Sequence, residues 1–410
     1  MNLRLARYID RWVGLGVCLV LWALGRVVGG RWAVPPLLAT TPPEGGPPPR
    51  PRRLLAIKFY GLGNVAMILP TLQAMKAADP SLQIDFLTLP GNVGLLEQSG
   101  LVSRVLTVEV SSFGGFLRSA LALFSALRSG YDAVLDFEQF MKLSGIFSFV
   151  TGAPARVGFN TEGQARGWLY SHRIAYADTD HMVDIFMRLA KPFGRAIEPA
   201  PLVRIHVDPD DRARALAAAC VPEGAALVAM HVGTGPNYDK IALKRWDVLR
   251  FARLADVLIE SRRARVVFTG VGAEERFLID EALAAMKHGD EARSLCDALS
   301  VGELTGLLEA SRFVVSNDTS VMHLTSLVGT PVVAFFGPTE PRIYGPRGPS
   351  DLVFYKGLYC SPCLSNYNLK MSRCVDPVCM REIGVEEVLA GIAAHFPANE
   401  LAAGARAASV

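Results

Sequence analysis

In VVSNDTSVMHLTSLVGTPVVAFFGPTEP, the apolar run ending at Asn317 reads as a strand and the residues from about Thr319 as a helix. Asp318 or Asn317 is expected to cap that helix, leaving the backbone N–H groups of Thr319, Ser320 and Val321 open to a ligand. A helix N-terminus bearing two hydroxyls is an anion site suited to a pyrophosphate. His323 stands one turn beyond Thr319 and is expected to face the same ligand. Two more loops carry compatible chemistry. HVGTGPNYDKIALKRW places Thr234 and Gly235 after a strand, with Lys240, Lys244 and Arg245 behind them as neutralising cations. FTGVGAEE places Glu274 after a Gly-rich turn, where a carboxylate accepts from ribose hydroxyls.

A second group lies near the start of the chain. In KFYGLGNVAMILPTL, Gly61-x-Gly63 follows the apolar run LLAI and opens a helix, so the backbone turns tightly there with Asn64 at the tip. Near the C-terminus, Cys360-x2-Cys363-x10-Cys374-x4-Cys379 has a metal-like first pair and a loose second one. A structural zinc site, disulfide or redox pairing, and unlinked structural thiols all fit this spacing, and each would fix a loop.

The elements that must hold these residues alternate along the chain. From Leu54, LLAIK, QIDFLTL, RVLTVEV and AVLDF are separated by helical patterns at about 64–78, 93–98 and 113–128. After a less regular stretch at 140–205, ALVAMHV, ARVVFTG, RFVVSN and PVVAFFG repeat the rhythm, with helices at about 246–260, 273–286 and 320–327. This is the pattern of α/β, doubly wound parallel sheets. It divides into an N-terminal Rossmann-like domain at 53–208 and a C-terminal one at 209–410. The candidate loops all fall at carboxyl ends of strands, so two facing sheets would collect them in an interdomain cleft. Lys and Arg number 42 against 39 Asp and Glu, a net charge of +3, which gives nucleic acid no basis as a partner. The seven cysteines do not form a secreted disulfide framework.

Residues 1–34 differ from the rest. Arg4, Arg7 and Arg11 precede an apolar run from Trp12 to Gly25, which spans about 21 Å as a helix against a hydrocarbon core of roughly 30 Å. With Trp12, Trp22 and Trp32, and basic residues on both sides, the segment reads as a helix lying in or dipping into a membrane interface, or, counted through a snorkelling Arg26, as a marginal span. Its rivals are a signal peptide and a helix packed on the protein's own surface. The Pro/Gly-rich stretch 35–52 reads as a linker.

SNDTSVMHLTSLVGTPVVAFFGPTEP resembles the signature D-T-G-x-x-H-x-A-x-x-x-x-x-P-x-x-x-x-x-G-P-T of glycosyltransferase family 9, the ADP-heptose:lipopolysaccharide heptosyltransferases. IKFYGLGNVAMILPTLQAMK is similar to that family's opening segment, and YCSPC to a feature of some members. The resemblance covers about Leu54 to Val388. It implies a GT-B fold, inverting transfer from a nucleotide-diphosphate sugar, donor binding in the C-terminal half and no cofactor in catalysis. It further implies that Thr319, Ser320 and His323 hold the diphosphate, helped by Thr234 and Lys244, with Glu274 at the ribose. Ser320 replaces the usual Gly.

The resemblance also implies an Asp at position 64 as the general base that deprotonates the acceptor hydroxyl, and this chain has Asn64, whose amide accepts no proton at useful pH. Asn64 retains the capacity to orient a hydroxyl. Glu138, after AVLDF, is the first candidate for a relocated base, and His181, between Asp180 and Asp184, the second. Arg156, Arg166, Arg173, Arg342 and Arg347 are candidates for an acceptor path. The expectation is a membrane-associated glycosyltransferase at the cytoplasmic face of the inner membrane. It would move a sugar from an ADP-heptose-like donor to a glycolipid or polysaccharide precursor. The alternative is a non-catalytic nucleotide-sugar-binding or assembly subunit that has lost its base.

Overall fold

The computed structural model describes residues 3–34, 50–194, 197, 203–222, 225–235, 241–262, 264–368 and 370–396. Most of the expected linker, and Lys240, lie outside them. The chain forms two compact units, Met1–Val203 and Arg204–Val410.

The first unit is built on six parallel strands: β1 (Arg53–Ile57), β2 (Gln83–Thr88), β3 (Arg104–Thr107), β4 (Ala133–Asp136), β5 (Ala155–Asn160) and β6 (His172–Ala175), in the order β3-β2-β1-β4-β5-β6. Its helices are α1 (Leu3–Val28), α2 (Leu62–Ala78), α3 (Val93–Gln98), α4 (Phe113–Leu127), α5 (Lys142–Val150) and α6 (Met182–Met187). Leu55, Ile57 and Val134 of the sheet meet Leu123 and Leu127 of α4 and Phe147 of α5 in one core cluster. The irregular stretch 140–205 thus supplies α5, β5, β6 and α6.

The second unit has β7 (Ala226–His231), β8 (Ala264–Thr269), β9 (Ala292–Ser294), β10 (Phe313–Asn317), β11 (Val332–Phe336) and β12 (Leu352–Tyr355), all parallel. Read from its β9 edge, the order is β9-β8-β7-β10-β11-β12, which repeats the winding of the first sheet. Its helices are α7 (Pro209–Ala219), α8 (Val248–Arg262), α9 (Gly272–Ala285), α10 (Val301–Ala310), α11 (Ser320–Val328), α12 (Pro341–Tyr344), α13 (Val378–Arg381) and α14 (Val385–His395). In each sheet the winding direction reverses beside the first strand, between β1 and β4 and between β7 and β10. Ligands in open parallel sheets bind at such reversals.

Candidate active site

In the second unit, three loops converge at the β7–β10 reversal. Asn317 ends β10 and ties them together: its Nδ2 donates to the carbonyls of Val232 (2.9 Å) and Gly233 (3.2 Å), and its Oδ1 accepts from the Trp246 amide at 2.8 Å. Trp246 is buried, packs at a tilt on Phe335 with ring centroids 4.3 Å apart and donates from Nε1 to the Ile383 carbonyl. That wedge fixes the short helix Ile241–Lys244 and hence Lys244. Lys244 Nζ donates to the backbone oxygen of Asp318 (2.5 Å) and to its Oδ2 (2.9 Å), two of the three bonds an ammonium can make. Thr339 donates to the same Oδ2 at 2.7 Å. Burial alone would raise the Asp318 pKa, but the charge and hydrogen bond of Lys244 and the Thr339 hydroxyl outweigh it, and the carboxyl lies below its ordinary range.

The helix cap differs from the expectation. Thr319, not Asp318 or Asn317, is the N-cap of α11, and its hydroxyl accepts from the Val321 amide. The extended backbone of Thr319 aims its own Oγ1 at the first turn, whereas Asp318 is drawn away by Lys244. The Val321 amide is therefore already engaged. Ser320 is half-buried in the first turn, and His323 is buried a turn further on.

Thr234 accepts from Arg245 Nε at 3.2 Å, and Arg245 also donates to Glu274 at 2.7 Å. Glu274 is thus an exposed partner of Arg245. Its neighbour Glu275 is the buried one, accepting from the Gly235 amide at 2.9 Å and the Val271 amide at 2.8 Å. It fills the space a side chain would need at Gly233, which is why only a glycine fits there. Glu275 was not singled out in the sequence, and neither was Lys370. Lys370 lies over the Tyr344 ring at 4.1 Å and adds positive potential at Asp318.

In the first unit, the β1–β4 reversal holds a buried ion pair. Lys58 Nζ donates to Glu138 Oε2 at 2.9 Å and to Gln139 at 3.0 Å, while Glu138 Oε1 accepts from the Phe59 amide at 2.8 Å. Burial alone would raise the Glu138 pKa, but Lys58 and the Phe59 amide reverse that and hold it below the ordinary range. Deeper still, Asp136 pairs with Arg166 at 2.8 Å and accepts from Tyr170 at 2.6 Å. Burial raises the Asp136 pKa despite Arg166.

Both candidates for a relocated base are engaged in internal hydrogen bonds. Glu138 spends both oxygens on internal donors and has lost basicity to Lys58. His181 is the N-cap of α6, where Nδ1 accepts from the Val183 amide at 3.2 Å, so the lone pair a base would use is already occupied. Arg166, expected on an acceptor path, is buried against Asp136, and Arg156 is buried on the carbonyls of Ala33, Ala153 and Leu169.

Asn64 lies in the first turn of α2, half-buried, and donates from Nδ2 to the Tyr60 carbonyl at 3.3 Å. Gly61 has φ +91°, and a Cβ on it would sit 2.6 Å from Asn64 Nδ2. The glycine therefore makes room for the amide, and the amide closes the turn.

Among the described residues, no group of three or more His, Cys, Asp or Glu is placed to hold a metal ion. Cys360, Cys363, Cys374 and Cys379, for which the sequence allows a structural zinc, a disulfide or unlinked thiols, stand unbonded to one another. Cys360 is exposed while Cys379 is buried under Gly337, and Cys374 donates to the Asp376 carbonyl at 3.2 Å. Burial pushes the Cys379 thiol up to about 11.

Two six-stranded parallel sheets of identical winding define a GT-B protein, with a cation, a capped helix and hydroxyls at the second reversal. Comparison with known proteins sharpens this class. The description of glycosyltransferase family 9 (heptosyltransferase) matches residues 120–371, more than half of the chain, and the protein belongs to that family. It is a glycosyltransferase of the heptosyltransferase type. Lipopolysaccharide heptosyltransferase 1 of Pseudomonas aeruginosa is 26% identical over 332 residues, covering 76% of this chain and 86% of that relative. Among solved structures, E. coli ADP-heptose lps heptosyltransferase II shares the fold with a TM-score of 0.67 at 21% identity, covering 85% of this chain and 99% of the other. E. coli heptosyltransferase WaaC with ADP does so with a TM-score of 0.62 at 21% identity, over 84% and 99%.

Proposed function

We propose that the protein transfers a sugar, a heptose first among candidates, from a nucleotide-diphosphate sugar to a glycolipid or polysaccharide precursor at the cytoplasmic face of the inner membrane. The observation that carries this reading is the Lys244–Asp318–Thr339 cluster beside the Thr319-capped helix. Pre-set donors and one partly neutralised cation suit a leaving diphosphate, whose charge grows as the glycosidic bond breaks. The names of the relatives, which are lipopolysaccharide and lipooligosaccharide heptosyltransferases, support an ADP-heptose-like donor and a lipid-borne acceptor. Thr319, Ser320, His323, Thr234 and Lys244 are proposed as the diphosphate contacts and Glu274 as a ribose contact. Gly61, Gly63 and Asn64 are proposed as the acceptor-side turn, with Asn64 Oδ1 orienting the hydroxyl.

In this proposal no side chain at position 64 takes the proton. A general base contributes about 10²–10⁴-fold, so transfer runs slowly and accelerates with pH as solvent accepts the proton. Asn64→Asp is expected to raise turnover and flatten the profile above about pH 5, although it loses the donation to Tyr60. Lys244→Ala is expected to abolish donor binding in both backgrounds. The test is release of nucleoside diphosphate from ADP-heptose with a lipid extract as acceptor, alongside donor binding by calorimetry. A second reading, a binding subunit without transfer, is favoured by Asn64 itself. Donor binding with no wild-type turnover at any pH would select it, and absence of donor binding would overturn both.

A further inference from the structure

The N-terminal helix is folded onto the first unit from Asp10 to Gly25. Asp10, Gly14, Cys18 and Gly25 of α1 form one stripe at helical spacing, and it faces inward. Asp10 Oδ1 accepts from the amides of Lys142 and Leu143 at 3.0 and 3.1 Å, at the very start of α5. A Cβ on Gly14 would sit 3.2 Å from Lys142 Cβ, so the small residue lets the two helices touch. Cys18 and Val34 pack with Phe149 and Leu169, and the Ala33 carbonyl accepts from buried Arg156 at 2.7 Å.

Among the described residues, nothing buries the opposite stripe. Trp12, Val13, Val20, Leu24 and Val27 are exposed, Val27 at 85%. Helix α4 shows the same feature: Phe113, Leu117, Leu121 and Phe124, again at helical spacing, are all exposed, while Leu123 and Leu127 serve the core. Arg128, just past α4, links that helix to the turn after α1: its guanidinium lies 5.2 Å from the Trp32 ring and 5.9 Å from the Phe124 ring. The charge on these helices is one-sided. The residues of α4 include Arg118 and no carboxylate, and α1 has four arginines and only Asp10, which is turned inward.

We propose that the outer faces of α1 and α4 form one composite docking surface for an anionic lipid bilayer, with α1 lying in the interface plane and remaining folded on the first unit. This rests on the membrane association proposed above and decides its form. A spanning helix would have to withdraw Asp10 from α5 and carry it toward the hydrocarbon, and would leave the α4 face without an occupant. Apolar side chains interspersed with arginine, with exposed Trp12 among them, match a bilayer surface of negative charge.

The test uses the full chain, purified in mild detergent and mixed with vesicles of phosphatidylglycerol and phosphatidylethanolamine, and compares wild type with Leu117→Glu/Leu121→Glu on α4 and Val20→Glu on α1. These side chains are exposed, so unchanged melting of the variants checks that they fold. Flotation is expected for wild type, with at least a tenfold weaker affinity in both variants, loss of binding on vesicles of phosphatidylcholine alone, and extraction by alkaline carbonate. Wild type that fails to float sinks this inference and the membrane reading together. Carbonate-resistant protein whose α4 variant floats like wild type overturns the in-plane surface while keeping membrane association. A dimer in solution that the α4 variant dissolves, without flotation, assigns the face to a second copy and also overturns it.

Discussion

A carboxylate serving as a base needs an oxygen aimed at its substrate and a pKa not far below working pH. Glu138 has neither, because Lys58 and the Phe59 amide take one oxygen each and stabilise the charge. Its role is to neutralise Lys58, a buried ammonium at the β1–β4 reversal. Breaking a buried pair by removing one charge costs about 3–5 kcal/mol. Glu138→Gln is therefore expected to lower unfolding free energy by roughly 3 kcal/mol in urea titration, while turnover per folded molecule keeps its wild-type pH profile. A stable variant with a displaced pH profile would restore the catalytic assignment. Which residues were readable follows the same logic. Lys244, Thr234 and the Thr319–His323 block announce themselves because strand ends and helix starts are local. The partnership of Lys244 with Asp318 spans 74 residues and only the assembled sheet reveals it. Glu274 and Glu275 differ by one position, yet one helical step is about 100° and sends one carboxylate to solvent and the other into the loop.

At the scale of elements, the central strands were legible because strands covered by helices on both faces read as unbroken apolar runs, as in LLAI, LVAM, VVFT and VVAFF. The edge strands β6, β9 and β12 were not. HRIA and ARS are short, mixed in polarity and partly exposed, so their strand character comes from pairing with β5 and β8. One central strand carries a titratable end. His231 of β7 is buried and contacts the Thr269 carbonyl through Nδ1 at 3.1 Å. Burial lowers its pKa, and Glu275, 4.0 Å away, opposes this less strongly. Since the folded value is depressed, the unfolded chain takes up a proton first. The stability from neutral His231 is present above about pH 6.5 and is lost as pH falls through that range toward the folded value. The urea midpoint of the second unit is expected to drop between pH 7.5 and 5.5, and to drop less in His231→Gln. Equal drops would remove His231 from the pH response.

At the scale of the molecule, two copies of one winding were expected and are found, while the N-terminal segment required the fold. Its apolar composition suits a membrane, a leader or a packed helix alike, and composition cannot reveal that Asp10 is the cap of a helix 132 residues away. The N-cap of α5 is Met141, which offers no side-chain cap, so α1 supplies what the local sequence lacks. Loss of such a cap costs about 1 kcal/mol, up to about 2 where the exposed amides are poorly solvated. Asp10→Ala is accordingly expected to accelerate amide hydrogen exchange through Lys142–Val150 by roughly five- to thirtyfold, the factor matching 1–2 kcal/mol. Exchange in the second unit should stay as it is, because the contacts described for α1 lie within the first unit. A uniform rise in both units would mean global destabilisation instead of local uncapping. Unchanged exchange in α5 would mean that α1 does not hold that position in solution, and the in-plane docking surface would lose its inner support.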